Sequence, residues 1–94
     1  MSNPKELIVA DSNVSIVAKA LASKTRWRIL KLLKIQQMDV SQIAEKLGQT
    51  EANISAQVKI LEKAQLIKSN YEPGAHGVKK VCMPSVEKLI IKIT

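Results

Sequence analysis

Between Thr50 and Lys63 the chain reads TEANISAQVKILEK, and its polar side chains are of a restricted kind. Asn53 and Gln57 carry amides, which can pair bidentately with adenine, one group accepting from N6 and the other donating to N7. Ser55 can serve a base edge or a phosphate. Ala52 and Ala56 are small enough to let a backbone approach bases closely, and an Ala methyl can meet a thymine methyl. Thr50 precedes this run, and Lys59 and Lys63 close it with positive charge suited to phosphate oxygens. The chemistry on offer is recognition of duplex DNA, with Ala52, Asn53, Ser55, Ala56 and Gln57 as candidate base contacts. Thr50, Lys59, Lys63, His76, Lys79 and Lys80 are the candidate backbone contacts. Taken alone, the same residues would also suit an ordinary solvated helix.

Catalytic and metal chemistry are poorly provided for. The one cysteine, Cys82, has no partner for an internal disulfide. One Cys with one His cannot make a structural zinc site. His76 lies in a Gly-containing turn with no nucleophile close by in sequence. We therefore expect no enzyme, no metal and no cofactor. Fifteen basic against eight acidic residues give a formal charge of +7, and this favours a polyanionic partner through counterion release. The charge is unevenly placed: Lys19, Lys24, Arg26, Arg28, Lys31 and Lys34 fall between Ser12 and Met38 with no acid among them. Arg26 and Arg28 invite phosphate assignments, although Arg26 also stands at a helix start, where a structural hydrogen-bonding role is natural. No apolar run approaches the roughly 20 residues that span a bilayer. The N-terminus lacks a basic stretch leading into an apolar core. A cytoplasmic protein with no membrane contact is the expectation.

The elements that must position these residues follow from periodicity. The chain is long enough for one modest core, so we expect one domain over residues 1–94. Residues 1–10 form an arm or a short strand through Leu7, Ile8 and Val9. Asp11, Ser12 and Asn13 offer N-caps to a first helix with Val14, Val17, Ala18 and Leu21 on one face. Ser23 caps a second helix. Its Trp27, Ile29, Leu30, Leu32 and Leu33 are apolar around much of the circumference, which predicts a central place in the core. Asp39 and Gln42 suit a capping box at the start of a third helix with Val40, Ile43, Ala44 and Leu47 inward, closed by Gly48. Thr50 caps the fourth, whose Ile54, Val58 and Leu61 face the core while Ala52, Ala56, Lys59 and Lys63 lie nearly opposite. Residues 39–64 are thus a helix-turn-helix, a form whose second helix enters the major groove. Beyond it, IKSNYE and GVKKVCM make a hairpin over 67–83 with a flexible tip at 73–77. The tail 85–94 fits either helix or strand, and its β-branched content favours strand.

LASKTRWRILKLL, then DVSQIAEKLGQTEANISAQVKILEKAQLI, then the hairpin together resemble the winged helix-turn-helix of the ArsR-type transcriptional regulators. Leu21, Ala22, Thr25 and Arg26 stand at the family's Leu-Ala-Asp-Pro-Thr-Arg lead-in, with Ser23 and Lys24 replacing Asp and Pro. Ile54, Ser55, Gln57, Val58, Leu61, Ala64, Leu66 and Ile67 match the family's recognition-helix pattern and the residues after it. Gln57 replaces the usual His, Ala56 a frequent Arg or His, and Gln65 the usual Gly. The metal-sensing members carry Cys-x-Cys in the helix matching residues 39–47, and no Cys is found there. The resemblance therefore implies no arsenic or zinc sensing through that site, and Cys82 reads as a small buried apolar residue.

The expected architecture is mainly α with a small β-hairpin: a winged helix-turn-helix of roughly four helices plus a two- or three-stranded wing. The expected function is sequence-specific binding of double-stranded DNA by a transcriptional regulator. A homodimer is expected, with the helix Val14 to Ala22, Trp27 and the tail Leu89 to Ile93 as candidate dimer surfaces. A winged-helix module that binds another protein and the DNA-binding domain of a longer sensor protein stand as alternatives.

Overall fold

The computed structural model of the protein describes residues 5–93. Four helices are present, α1 (Val14–Leu21), α2 (Lys24–Ile35), α3 (Val40–Leu47) and α4 (Glu51–Lys63), with five strands, β1 (Glu6–Val9), β2 (Met38–Asp39), β3 (Ile67–Gly74), β4 (Gly77–Pro84) and β5 (Lys88–Ile91). Ile29 and Leu33 of α2, Ile43 of α3, and Ile54, Val58 and Leu61 of α4 form the centre of the core, joined by Val17, Ala20, Val9 and Cys82. Burying each of the large aliphatic side chains contributes about 1.5–3 kcal/mol. The α4 triplet therefore secures one side of that helix and leaves the other free.

Local chemistry sets the helix ends. Ser23 takes extended geometry and its hydroxyl accepts from Arg26 N at 3.3 Å, starting α2. The capping box of α3 is complete: Gln42 N donates to Asp39 Oδ1 at 2.8 Å and Asp39 N donates to Gln42 Oε1 at 2.9 Å. Gly48 ends α3 in the left-handed region at φ 64°. Gly48 N and Gln49 N close onto Glu45 O and Ala44 O, the Schellman pattern. The same pattern ends α4, where Gln65 N and Leu66 N close onto Glu62 O and Leu61 O, with Gln65 left-handed at φ 63°. So the turn into the wing is the glycine-type turn, carried by a glutamine.

Several expectations are corrected. Asp11 to Asn13 form a 3₁₀ turn with no side-chain cap on α1, because the chain is already helical at Asn13 and lacks the extended geometry a cap requires. Ala18 is exposed, and Ala20 is buried in its place. Strand β1 packs on that flank, where Leu7 and Val9 share a crevice with Ile16 and Val17, and so rotates the buried face. Helix α2 is only half enclosed: Ile29 and Leu33 are buried, but Trp27 is 54% exposed and Ile35 82%. Its cations Lys24, Arg28 and Lys31, spaced i, i+4 and i+7, claim a full face for solvent.

Two sheets complete the fold. One is antiparallel, in the order β2-β4-β3. The short β2, unforeseen in the sequence, pairs Met38 with Cys82 and Asp39 with Val81, and so fastens the start of α3 to the wing. The hairpin is tighter than expected. Its strands run into Gly74 and Gly77, which pair, so the loop is only Ala75 and His76, made possible by Gly77 at φ 113°. The second sheet pairs β1 with β5 in parallel, Glu6 opposite Lys88 and Val9 opposite Ile91. Within the tail, Lys88–Ile91 form the strand that the β-branched residues favour, with a partner about 80 residues away that periodicity cannot indicate.

Candidate nucleic-acid interface

Helix α4 projects from the core with its ridge uncovered. Ala52, Ala56, Lys59 and Lys63 are all exposed. At about 100° per residue they lie within roughly 60° of one another around the axis. Thr50 starts the helix, its Oγ1 accepting from Asn53 N at 3.1 Å, so its hydroxyl is engaged in capping. The two flanks differ. Asn53 and Gln57 lie half-buried on one, and Ser55 lies half-buried on the other, about 160° from Asn53. The structure therefore brings Ala52, Ala56, Asn53 and Gln57 into one continuous surface and sets Ser55 apart. Ser55 shares its side of the helix with Glu51, whose carboxylate accepts from Ser41 Oγ of α3 at 2.5 Å.

The amide flank is organised by hydrogen bonds. Gln57 Nε2 donates to Asn53 Oδ1 at 3.1 Å, and Asn53 Nδ2 donates to Gln49 Oε1 at 2.6 Å. Arg26, at the start of α2, donates from Nη1 to Gln57 Oε1 at 2.6 Å. Gln49 and this use of Arg26 lie outside the expectations from the sequence. The spacing Gln49, Asn53, Gln57 is a usable signal, since residues four apart on a helix meet. No local pattern indicates Arg26, which lies 31 positions from Gln57.

The wing presents its candidates unequally. His76 at the tip and Lys79 on β4 are exposed. Lys80 is not free: its Nζ lies 2.7 Å from Glu62 Oε1 on α4, with side-chain exposures of 17% and 28%. Its alternation along β4 turns it towards α4, whereas Lys79 turns away. Burial pulls the Lys80 pKa down, but the hydrogen bond and charge of Glu62 outweigh it and hold the ammonium above its ordinary value. Lys80 thus ties the wing to α4. Cys82 is fully buried beside Ser69 Oγ (3.6 Å), and burial pushes its thiol pKa up, the environment of a packing residue.

Four helices, a capped turn ahead of an uncovered helix and a three-stranded antiparallel wing define a winged helix-turn-helix. The family model for bacterial regulatory proteins of the arsR family matches residues 23–69. The chain belongs to that family and is a winged helix-turn-helix transcriptional regulator. Among solved structures it is similar to a possible transcriptional regulatory protein (fragment 1–100) from Mycobacterium bovis, at 27% identity and a TM-score of 0.69, covering 78% of this chain and 74% of that one. A solution structure of the homodimeric winged helix-turn-helix DNA-binding domain from the same organism gives 27% identity and a TM-score of 0.68, covering 78% of this chain and 64% of that one. Reduced HlyU from Vibrio cholerae shares the fold at 19% identity and a TM-score of 0.68, with 79% and 74% covered. No protein of curated function matches the chain in sequence. Among the described residues, no helix is long and apolar enough to cross a membrane.

Proposed function

We propose that the protein is a cytoplasmic, sequence-specific reader of duplex DNA that works as a homodimer, its residues 5–93 forming one winged-helix unit. Helix α4 lies in the major groove, Ala52 and Ala56 against base edges and Asn53 and Gln57 presenting amides to them. Ser55 reaches the other wall of the groove. Thr50, Lys59 and Lys63 hold the backbone beside α4, and His76 and Lys79 do so from the wing. Lys80 leaves this set, because its charge is spent on Glu62. The uncovered ridge of α4, small and neutral at its start and cationic at its end, carries the reading. The homodimeric Mycobacterium bovis domain supports the dimer. So does Trp27, a large side chain left 54% exposed on α2. Two copies then read half-sites related by a two-fold axis.

The test is binding to duplex DNA across a salt series, followed by selection of sites from a random pool. Three lysines per chain, Lys59, Lys63 and Lys79, make about six phosphate contacts in a dimer. Affinity should therefore fall about 10³-fold between 50 and 200 mM salt. The selected sequences should contain two inverted half-sites about one helical turn apart. No binding at low salt would refute the DNA role, and a single unrepeated half-site would refute the dimer.

A further inference from the structure

We propose that Arg26 is a positioning residue that fixes the order of donors and acceptors which α4 presents to base edges. The proposal rests on the reading of α4 as the base-contacting helix. A guanidinium has only donors to offer. Two of its arms are held by the last turn of α1: Nε donates to Ala20 O at 2.9 Å and Nη2 to Lys19 O at 2.7 Å. The partial negative charge at that helix end favours a cation there. With its plane fixed, the group aims Nη1 at Gln57 at 2.6 Å.

A donor-only group admits only the oxygen end of the Gln57 amide. Gln57 Nε2 must then face Asn53, whose oxygen accepts it at 3.1 Å, and Asn53 Nδ2 is turned to Gln49 Oε1 at 2.6 Å. Flipping any one amide would set N–H against N–H and break a bond in the row. The Gln57 and Asn53 amides each still keep one oxygen lone pair and one N–H unspent. These are the two groups that adenine N6 and N7 require, held in one order before DNA arrives. Without the guanidinium both orders become accessible, and discrimination at the contacted base weakens while charge attraction to phosphate persists.

The experiment compares the full chain with Arg26→Lys, which keeps the charge but offers a single nitrogen in place of the three that reach Ala20 O, Lys19 O and Gln57 Oε1. Two measurements are made: the side-chain amide NMR signals of Gln49, Asn53 and Gln57 in the free protein, and affinities for the selected site, its single-base variants and random duplex across a salt series. We expect the Gln57 and Asn53 signals of Arg26→Lys to move towards those of a free amide. Discrimination at one adenine of each half-site should fall about ten-fold, with an unchanged salt slope on random DNA. If Arg26→Lys does not fold, Gln57→Glu serves instead. Its carboxylate still accepts from Arg26 but can donate nothing, and the preferred base should shift from adenine towards cytosine, whose N4 donates. Unmoved amide signals with undiminished discrimination, or an equal loss on every sequence with a flatter salt slope, would overturn the role of Arg26. For Gln57→Glu, a retained adenine preference removes Gln57 from the base contacts and leaves Arg26 no base-reading amide to position. A wild-type chain that selects no sequence overturns the base-reading assignment itself, a different result from equal selection by wild type and variant.

Discussion

The turn from α4 into the wing offers a sharp test, because the protein contains the same turn twice with different residues in it. Gly48 and Gln65 sit at φ 64° and 63°, each closing a helix with the same pair of backbone bonds. A side chain in this left-handed region costs about 1–2 kcal/mol. Glycine escapes that cost but gives up about 0.4–1 kcal/mol through the greater freedom of its unfolded chain. Gln65 is exposed, so its side chain adds little packing to offset the strain. Gln65→Gly should therefore stabilise the protein by about 0.5–1 kcal/mol, raising Tm by about 2–5 °C for a chain of this size. The reciprocal change is Gly48→Ala. An added Cβ there meets nothing within 4 Å, so the penalty is purely conformational, about 1 kcal/mol, with Tm falling by about 5 °C. Thermal and urea unfolding at one fixed protein concentration measure both, since the Tm of any chain that self-associates depends on concentration. A neutral or destabilised Gln65→Gly beside a destabilised Gly48→Ala would show that the two turns are not equivalent and that Gln65 bears no strain.

Other perturbations have defined outcomes. Glu62→Gln should cost about 1 kcal/mol near neutral pH, between the values typical of exposed and buried ion pairs. Because Lys80 is raised in the folded state, its share of that stability is fully present below its ordinary pKa and is lost as pH rises through the higher folded value. Wild type and Glu62→Gln should accordingly converge in urea titrations at strongly alkaline pH and stay apart at pH 7 to 9. Cys82 should resist a thiol reagent in the native protein at pH 8 and react at the rate of a free thiol in urea, since it is buried and its pKa is raised. Fast native labelling would contradict its place in the core. Lys63→Gln should leave Tm unchanged and lower the salt slope for random duplex DNA by about 0.9 per chain, and a slope equal to wild type would remove Lys63 from the interface.

How much was legible in the sequence depended on how far each cause lies along the chain. The capping box at Asp39 and Gln42, the glycine closure at Gly48 and the inward triplet Ile54, Val58 and Leu61 are decided within four to seven residues, and each stands in the structure as read. The exposed ridge of α4 follows from the same periodicity. What escaped the reading is long-range pairing. β1 meets β5 across the whole chain and rotates the buried face of α1, so Ala18 is exposed and Ala20 enclosed. β2 is two residues long and exists only because β4 lies beside it. For the site, Lys79 and Lys80 are indistinguishable in a sequence of basic residues. The register of β3 and β4, with Glu62 beside it, turns one to solvent and the other to α4.

Contacts from three elements converge on α4. The apolar seam of Ile54, Val58 and Leu61 fixes how deeply α4 sits, but the hydrophobic effect that drives it is non-directional and does less against a roll of the helix about its own axis. Three polar ties from three different elements oppose that roll: Ser41 of α3 to Glu51, Arg26 of α2 to Gln57, and Lys80 of β4 to Glu62. Gln57 lies on one flank and Glu51 and Glu62 on the other, so the pulls act in opposite senses and the ridge between them has one stable aim. At a helix radius of about 5 Å including side chains, a roll of 20° moves a ridge atom by nearly 2 Å, more than a bidentate base contact tolerates. The ties should therefore show up in binding selectivity more than in stability. Single losses of Glu51, Arg26 or Glu62 each leave the apolar seam intact, and pairs of losses on opposite flanks should be less damaging to selectivity than the sum of the two alone. A strictly additive result would mean that the ties act independently and that the aim of α4 is set by packing.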